Sequence, residues 1–390
     1  MVMNTVAATD RRALRSIATQ FWLNGALFSS LIPRLPELRD QLGVSVAELG
    51  QAMTLGMLGG ILGSLTVDWV CRRADLKRIM VVSAASLICA LGIIAYSPTL
   101  WVFALVFSTM ALFDAYVDVA MNIQGSQLSQ RLAKPVMNRL HGLWSIGTVC
   151  GSLSAAAAIA LGWSLQQQLL GMAGLSAFLL VYVGSGLKQP LTPTDPDATD
   201  TPKKRFASAT KMAVFAILGA VAVIPEMISS DWSAFRIRDD LALSNQLASF
   251  GFVVFGAGMM TGRLTGDEIM HRFGQARTLY TGCLLALIGI SLVAFIDQIY
   301  AVFVGLALAG LGTSVFFPTL YDNAAKASGR GAVMLGALTI GTRIAAFWLP
   351  MTAGYIAATH SVGTAFALLA LPSILVVGLL NKTQAPVKKT

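Results

Sequence analysis

In an otherwise apolar stretch, Phe113-Asp114-Ala-Tyr-Val-Asp118-Val-Ala-Met-Asn122 sets two carboxylates and an amide at successive spacings of four, so on a helix all three share one face. Ionisable groups in hydrocarbon are costly, and they mark places where a chain binds, gates or carries protons. A carboxylate that is charged when open to water and neutral when shut away can load and release a proton. Asp118 has that setting, with Asp114 one turn before it. Further on, Met137-Asn-Arg-Leu-His141-Gly-Leu-Trp144 offers an imidazole that titrates near neutrality and an indole that can wall a ring-shaped ligand. Asp118, Asp114 and His141 are therefore the proton-coupling candidates. Asn122, Trp144 and Asn24 are substrate-binding candidates, joined from the second half by Glu226, which follows Pro225, and Arg343. A lone arginine inside a span needs a neutralising partner, and Glu226 is the expected one. No GxxxxGK[ST] loop is present to use ATP, and Cys71, Cys89, Cys150 and Cys283 have neither CxxC spacing nor a nearby histidine. No cofactor, metal or enzymatic step is expected.

The elements that must position these residues follow from composition. The 390 residues are 55% hydrophobic and only 12% charged, against roughly 45–50% and 25% in a soluble domain. At about 20 apolar residues per crossing the chain supplies roughly a dozen spans and little else. They fall at 14–33, 46–69, 79–96, 100–123, 137–161 and 166–187, then at 211–232, 246–266, 278–296, 298–320, 332–357 and 361–380. The expected fold is all-α and integral to the membrane. Its N-terminal six-helix bundle would cover 1–187 and its C-terminal bundle 211–390, joined by a linker at 188–210 rich in Pro, Thr and charge. The first span, with Arg11 and Arg12 before it and Arg15 at its start, is expected to be a retained helix with a cytoplasmic start, and Ser45-Val-Ala-Glu48 reads as a capping box opening the second. With both termini cytoplasmic, the outer loops hold only Arg34, Arg39, Arg236 and Arg238, and Arg343 is left within a span, so the net charge of +9 is a positive-inside bias and does not imply nucleic acid. On this layout Asp114 and Asp118 lie roughly 21 and 27 Å along the fourth span from outside. His141 and Trp144 lie roughly 6 and 10 Å into the fifth from inside, at matching depth, and Arg343 roughly 15 Å into the eleventh.

Shifting the chain by 199 residues lays Leu38-Arg39-Asp40 on Ile237-Arg238-Asp239, Gly63-Ser-Leu-Thr-Val-Asp68 on Gly262-Arg-Leu-Thr-Gly-Asp267, and Arg73 and Arg78 on Arg272 and Arg277. A slightly different shift lays Ser145-Ile-Gly-Thr148 on Thr339-Ile-Gly-Thr342. The two halves read as copies of one unit. With its acidic and basic residues after the second and eighth spans, the chain resembles the major facilitator superfamily, although Gly63 and Gly262 stand five residues before the aspartates where that signature has four. The resemblance implies two pseudo-symmetric six-helix bundles, alternating access, and conformational gating by Asp68, Arg73, Arg78, Asp267, Arg272 and Arg277. Asp118-Val-Ala-Met-Asn122 is similar to the fourth-span acid-x-x-x-Asn pattern of the fucose/proton symporter branch. That similarity makes Asp118 the titrating acid and Asn122 its companion, with His141 and Trp144 where the branch has sugar contacts and Ser29 where it has a second acid. The whole chain resembles the MosC-like transporters more closely still.

Together these readings lead to the expectation of a monomeric secondary transporter in the inner membrane. It would move a small polar solute, with sugars among the fitting classes, and couple that movement to protons. The alternatives are a proton-driven exporter of amphiphilic compounds and a solute sensor that does not transport. Against the exporter, the fifth span has Gly147-Thr-Val-Cys-Gly151 without the proline typical of the antiporter signature, and against the sensor, the short termini and linker offer little output surface.

Overall fold

The computed structural model describes residues 8–132, 136–187, 209–325 and 331–384, all in helices and short connections with no strand among them. The long helices of the first half are α1 (Ala8–Leu31), α3 (Val46–Cys71), α4 (Leu76–Ile94), α5 (Leu100–Arg131), α6 (Met137–Ala160) and α7 (Leu165–Gly186), with the short α2 (Leu35–Leu42) between the first two. The second half has α8 (Ala209–Phe235), which continues as a π-helical turn at Arg236–Asp240, then α9 (Asn245–Phe273) and α10 (Gln275–Phe295). Next come α11 (Ile299–Thr313), α12 (Phe316–Ala325) and α13 (Gly331–Thr359), then α14 (Val362–Ala365), a π turn and α15 (Leu371–Gln384). The linker expected at 188–210, with Lys203, Lys204 and Arg205, lies outside the described residues up to residue 208.

Among the described residues, eleven helical stretches are long and apolar enough to cross a membrane. The twelfth, α1, is more polar because Ser16, Gln20, Asn24, Ser29 and Ser30 occupy buried positions along it. Large apolar side chains face outward on the others: Leu65, Trp101, Leu105 and Phe178 are each about 70% exposed or more. Lipid would cover these, as expected where backbone groups are satisfied within each helix and the outer surface meets hydrocarbon. Capping fixes the helix starts. Ser45 and Glu48 form the expected box, Ser45 N–H donating to Glu48 Oε2 at 2.8 Å and Glu48 N–H to Ser45 Oγ at 3.2 Å. Ser164 and Gln167 form a second box, and Asp75, Thr99, Ser244 and Ser361 cap α4, α5, α9 and α14.

The repeated motifs turn out to be packing devices. Gly147 of α6 meets the Trp22 carbonyl of α1 so closely that a Cβ would collide with it, and Gly341 of α13 meets the Ala216 carbonyl of α8 in the same way. Gly59 and Gly63 of α3 meet Ser108 and Leu112 of α5, and their copies Gly258 and Gly262 of α9 meet Ala307 and Leu311 of α11. Both are small-xxx-small contacts, which let helix backbones approach in a setting that gives no hydrophobic drive to association.

The chain forms two compact units. One is Met1–Arg34 with Leu55–Thr201, the other Leu35–Thr54 with Pro202–Thr390. In the second, α2 and the first turns of α3 pack on later helices: Gly50 abuts the Pro350 carbonyl, and Thr54 Oγ1 accepts the Met351 N–H at 3.0 Å. Two arginines assigned to outer loops are buried anchors. Arg34, 1% exposed, donates to the Trp163 carbonyl at 2.9 Å. Arg236, 2% exposed, bonds the Val293 carbonyl at 2.8 Å, Asp240 at 3.0 Å and Asp297 at 2.5 Å. Asp240 in turn accepts the N–H groups of Val362 and Gly363, which ties the start of α14 to the end of α8.

Candidate functional site

In the first unit, α5 carries Asp118 and Asn122 one turn apart. The Asn122 amide donates to Asp118 Oδ1 at 3.0 Å and to the Asp118 carbonyl at 2.8 Å. The carboxylate itself is exposed, whereas Asp114, one turn earlier, is half-buried. The amide donor orients the carboxylate it bonds. On α6, His141 is exposed and Trp144 half-buried. The His141 ring meets the edge of Phe21 of α1 at 5.3 Å between centroids. Close approach fixes the α1–α6 register, since Gly25 has room only for hydrogen against the Trp144 carbonyl and Thr148. Asn24, the neighbour of Gly25, therefore lies level with Trp144, and Phe21 with His141. Asn24 is 6% exposed, and its Oδ1 has no hydrogen-bond partner among the described residues.

Sequence reasoning missed two amides of the same kind. Gln20, one turn before Asn24, is fully buried with neither amide atom partnered among the described residues, and Gln124 of α5 is 2% exposed with Oε1 unpartnered. The spacing of Gln20 and Asn24 by four in an apolar run was the available signal. Buried amides lacking protein partners call for water or a ligand.

In the second unit the geometry corrects one expected pairing. Glu226 of α8 is bonded by Arg263 of α9, with Nη2 3.4 Å from Oε1 and both side chains about a quarter to a third exposed. Arg343 of α13 is exposed and makes no ion pair with Glu226. The reason is rotational register, which span assignment leaves open: Arg263 presents its guanidinium to α8 where Arg343 does not. Its signal was a cation just inside the eighth span, where the first copy has Ser64. Pro225 withholds an N–H from the Val221 carbonyl, yet α8 continues to Phe235. Asp231 accepts the Ser230 hydroxyl at 2.8 Å.

Of the gating candidates, Asp68 is bonded by Arg72 at 2.7 Å, not by Arg73 or Arg78. Arg73 stacks over Trp69 at 4.2 Å, and the Arg78 backbone N–H is held by Asp75. Asp267 lies on α9 with Arg272 in its last turn, Arg277 opens α10, and Arg272 sits over Phe273 at 5.5 Å. The repeated Arg-Asp dipeptides bond reciprocally: Arg39 to Asp239 and Arg238 to Asp40, all four within the second unit. Burial pulls the Arg39 guanidinium down, but its hydrogen bonds to Asp239 and Asp40 prevail and raise it. Burial pushes Asp40 up, and the bonds from Arg39 and Arg238 outweigh that, holding its carboxyl below the ordinary range.

Comparison with known proteins decides the family. The sequence model described as Major Facilitator Superfamily matches residues 17–225, more than half of the chain. The chain belongs to the Major Facilitator Superfamily. It is 27% identical over 361 residues, 90% of each chain, to an uncharacterized MFS-type transporter of Yersinia pestis. It is 23% identical over 317 residues to membrane protein MosC of Rhizobium meliloti, covering 80% of this chain and 75% of MosC, in line with the MosC-like resemblance. Among solved structures, a mutant form of the nucleoside transporter NupG superposes with a TM-score of 0.80 at 14% identity, covering 96% of this chain and 100% of that one. The chain is thus a multi-pass, all-helical membrane transporter of this superfamily, and its membership implies a small-molecule substrate.

Proposed function

We propose that this transporter is a proton-coupled secondary carrier of a small, polar, uncharged solute in the inner membrane, working by alternating access as a monomer with both termini cytoplasmic. The observation that carries the reading is the Asp118–Asn122 pair within the span formed by α5: a titratable carboxylate held by an amide one turn away on a membrane-spanning helix. Asp118 takes up and releases the coupling proton, with Asp114 and His141 adjusting its affinity. The carboxylate crosses the dry intermediate only when neutral, because carrying it charged would cost several kcal/mol. Solute is recognised by amides and an indole: Asn122 and Trp144, with Asn24 and now Gln20 and Gln124. Such a set favours hydroxyl- or amide-bearing compounds over ions, and sugars fit it. Glu226, Arg263 and Arg343 serve the second unit's side of the pathway, while Asp68 with Arg73 and Arg78, and Asp267 with Arg272 and Arg277, act as the gating elements of the two repeats.

Purified protein in vesicles, screened against neutral polar solutes with and without an imposed pH gradient, tests this directly. Accumulation that appears only with the gradient supports it. Transport that ignores the gradient for every solute moved would remove proton coupling, and a chain that binds solutes and moves none would be a sensor. Should the protein in inverted vesicles drive amphiphilic compounds against their gradient, the exporter reading would replace the carrier of polar solutes.

A further inference from the structure

A second site lies at the end of the first unit where α1 begins and α7 ends. Arg11, Arg12, Arg15 and Tyr182 line a cavity of about 420 Å³. α7 closes onto α1 at Gly186, where a Cβ would collide with Ser16, and Arg12 Nη2 donates to Ser185 Oγ at 3.3 Å across the same junction. The three guanidinium groups make no ion pair among the described residues, and the neighbouring carboxylate, Asp10, is engaged by Arg131 at 3.3 Å. Three exposed guanidinium groups and a phenol around one open cavity make a place suited to an anion. Guanidinium forks suit phosphate oxygens in particular, and a tyrosine at this depth can donate a further hydrogen bond.

The surroundings point to the source of that phosphate. From the cavity an outward apolar stripe runs along α7: Tyr182 is 40% exposed, Val181 and Phe178 73%, and Leu175 49%. Tyrosine with arginine at a span's end marks the headgroup level of a bilayer, with hydrocarbon-facing residues beyond. We infer that the Arg11–Arg12–Arg15–Tyr182 cavity is a binding site for the phosphate headgroup of an anionic phospholipid, whose acyl chains lie along the Leu175–Phe178–Val181 stripe. The inference does not depend on which solute is carried.

The test is binding of a fluorescent phosphatidylglycerol to the detergent-purified full chain, competed by unlabelled phosphatidylglycerol, phosphatidylcholine or inorganic phosphate. Phosphatidylglycerol should displace the probe well ahead of phosphatidylcholine, with inorganic phosphate ineffective at equal concentration. A basic residue at an anionic lipid surface contributes about fivefold in binding, so Arg15→Gln should weaken it about fivefold and the Arg11→Gln, Arg12→Gln, Arg15→Gln triple variant about a hundredfold. The charge-matched control Lys77→Gln, Arg139→Gln, Lys211→Gln should leave it within about twofold. Equal loss in that control, or no preference for phosphatidylglycerol, would reduce the effect to net charge and overturn the site. Displacement by inorganic phosphate as strong as by lipid would assign the cavity to a soluble anion and overturn the lipid source.

Discussion

The ion pair between Glu226 and Arg263 neutralises two charges inside the second unit at modest exposure, and a partly desolvated pair should show measurable coupling. In a double-mutant cycle read by thermal unfolding in detergent, Glu226→Gln and Arg263→Gln should be non-additive by about 1 kcal/mol, while Glu226→Gln and Arg343→Gln should add within about 0.5 kcal/mol. The reverse result would restore the partner first expected from the sequence. Asp40 titrates differently from a free carboxylate. Its folded pKa lies below the ordinary value of 3.8, so its contribution to docking α2 on α8 is complete above that value and is lost as pH falls through the lowered one. Arg39, raised by its bonds to Asp239 and Asp40, stays charged and adds no pH dependence in the accessible range. Amide protection in α2, corrected for the intrinsic exchange rate, should therefore be independent of this group from pH 7 to about 5 and fall in acid, and Asp40→Asn should shrink the acid step. At this scale the sequence reveals residue types and depth. Asp118 with Asn122 was legible because four residues along one helix fix their own geometry. Arg263 with Glu226 and the orphaned Gln20 were not, because their meaning depends on which way separate helices are turned.

Helix packing in both units rests on glycines that the repeat brings to equivalent places, which gives a prediction with opposite signs on the same two helices. Gly147→Ala in α6 and Gly341→Ala in α13 drive a methyl into a neighbouring backbone carbonyl and should destabilise by about 1–3 kcal/mol. Gly142→Ala and Gly336→Ala, on the same helices with nothing within 4 Å of the added Cβ, should be neutral or stabilising by up to about 1 kcal/mol. Unfolding midpoints of the four variants in one detergent decide it, and equal losses at all four would mean that close approach is not what those glycines supply. The spans, the Ser45–Glu48 cap and the duplication were readable because hydropathy, capping and self-similarity are local properties. Those same motifs gave no hint that Gly59 and Gly63, with their copies, serve as contact surfaces, nor that Arg34 and Arg236 are buried anchors. Such roles depend on what a neighbouring helix offers, here the carbonyls of Trp163 and Val293.

For the whole molecule, superfamily membership and the duplicated sequence support a carrier in which the two repeats exchange access to the solute. Labels at Lys77 and Ala276, equivalent positions in the repeats, should report two distance populations whose balance shifts in Asp68→Asn; one unchanging population under every gradient and solute would argue against that motion. The fold class was legible because a membrane admits few architectures, whereas the solute was not, since amides and an indole specify hydrogen-bonding character more than identity. Proton coupling at Asp118 is the centre of the account, and it makes exchange and accumulation separable. The decisive measurement compares wild type and Asp118→Asn in vesicles for a transported solute, once as exchange with no gradient and once as uptake driven by an imposed pH gradient. The account predicts that Asp118→Asn keeps exchange and loses gradient-driven accumulation, with Asp114→Asn only shifting the pH optimum. Undiminished accumulation by Asp118→Asn would contradict it.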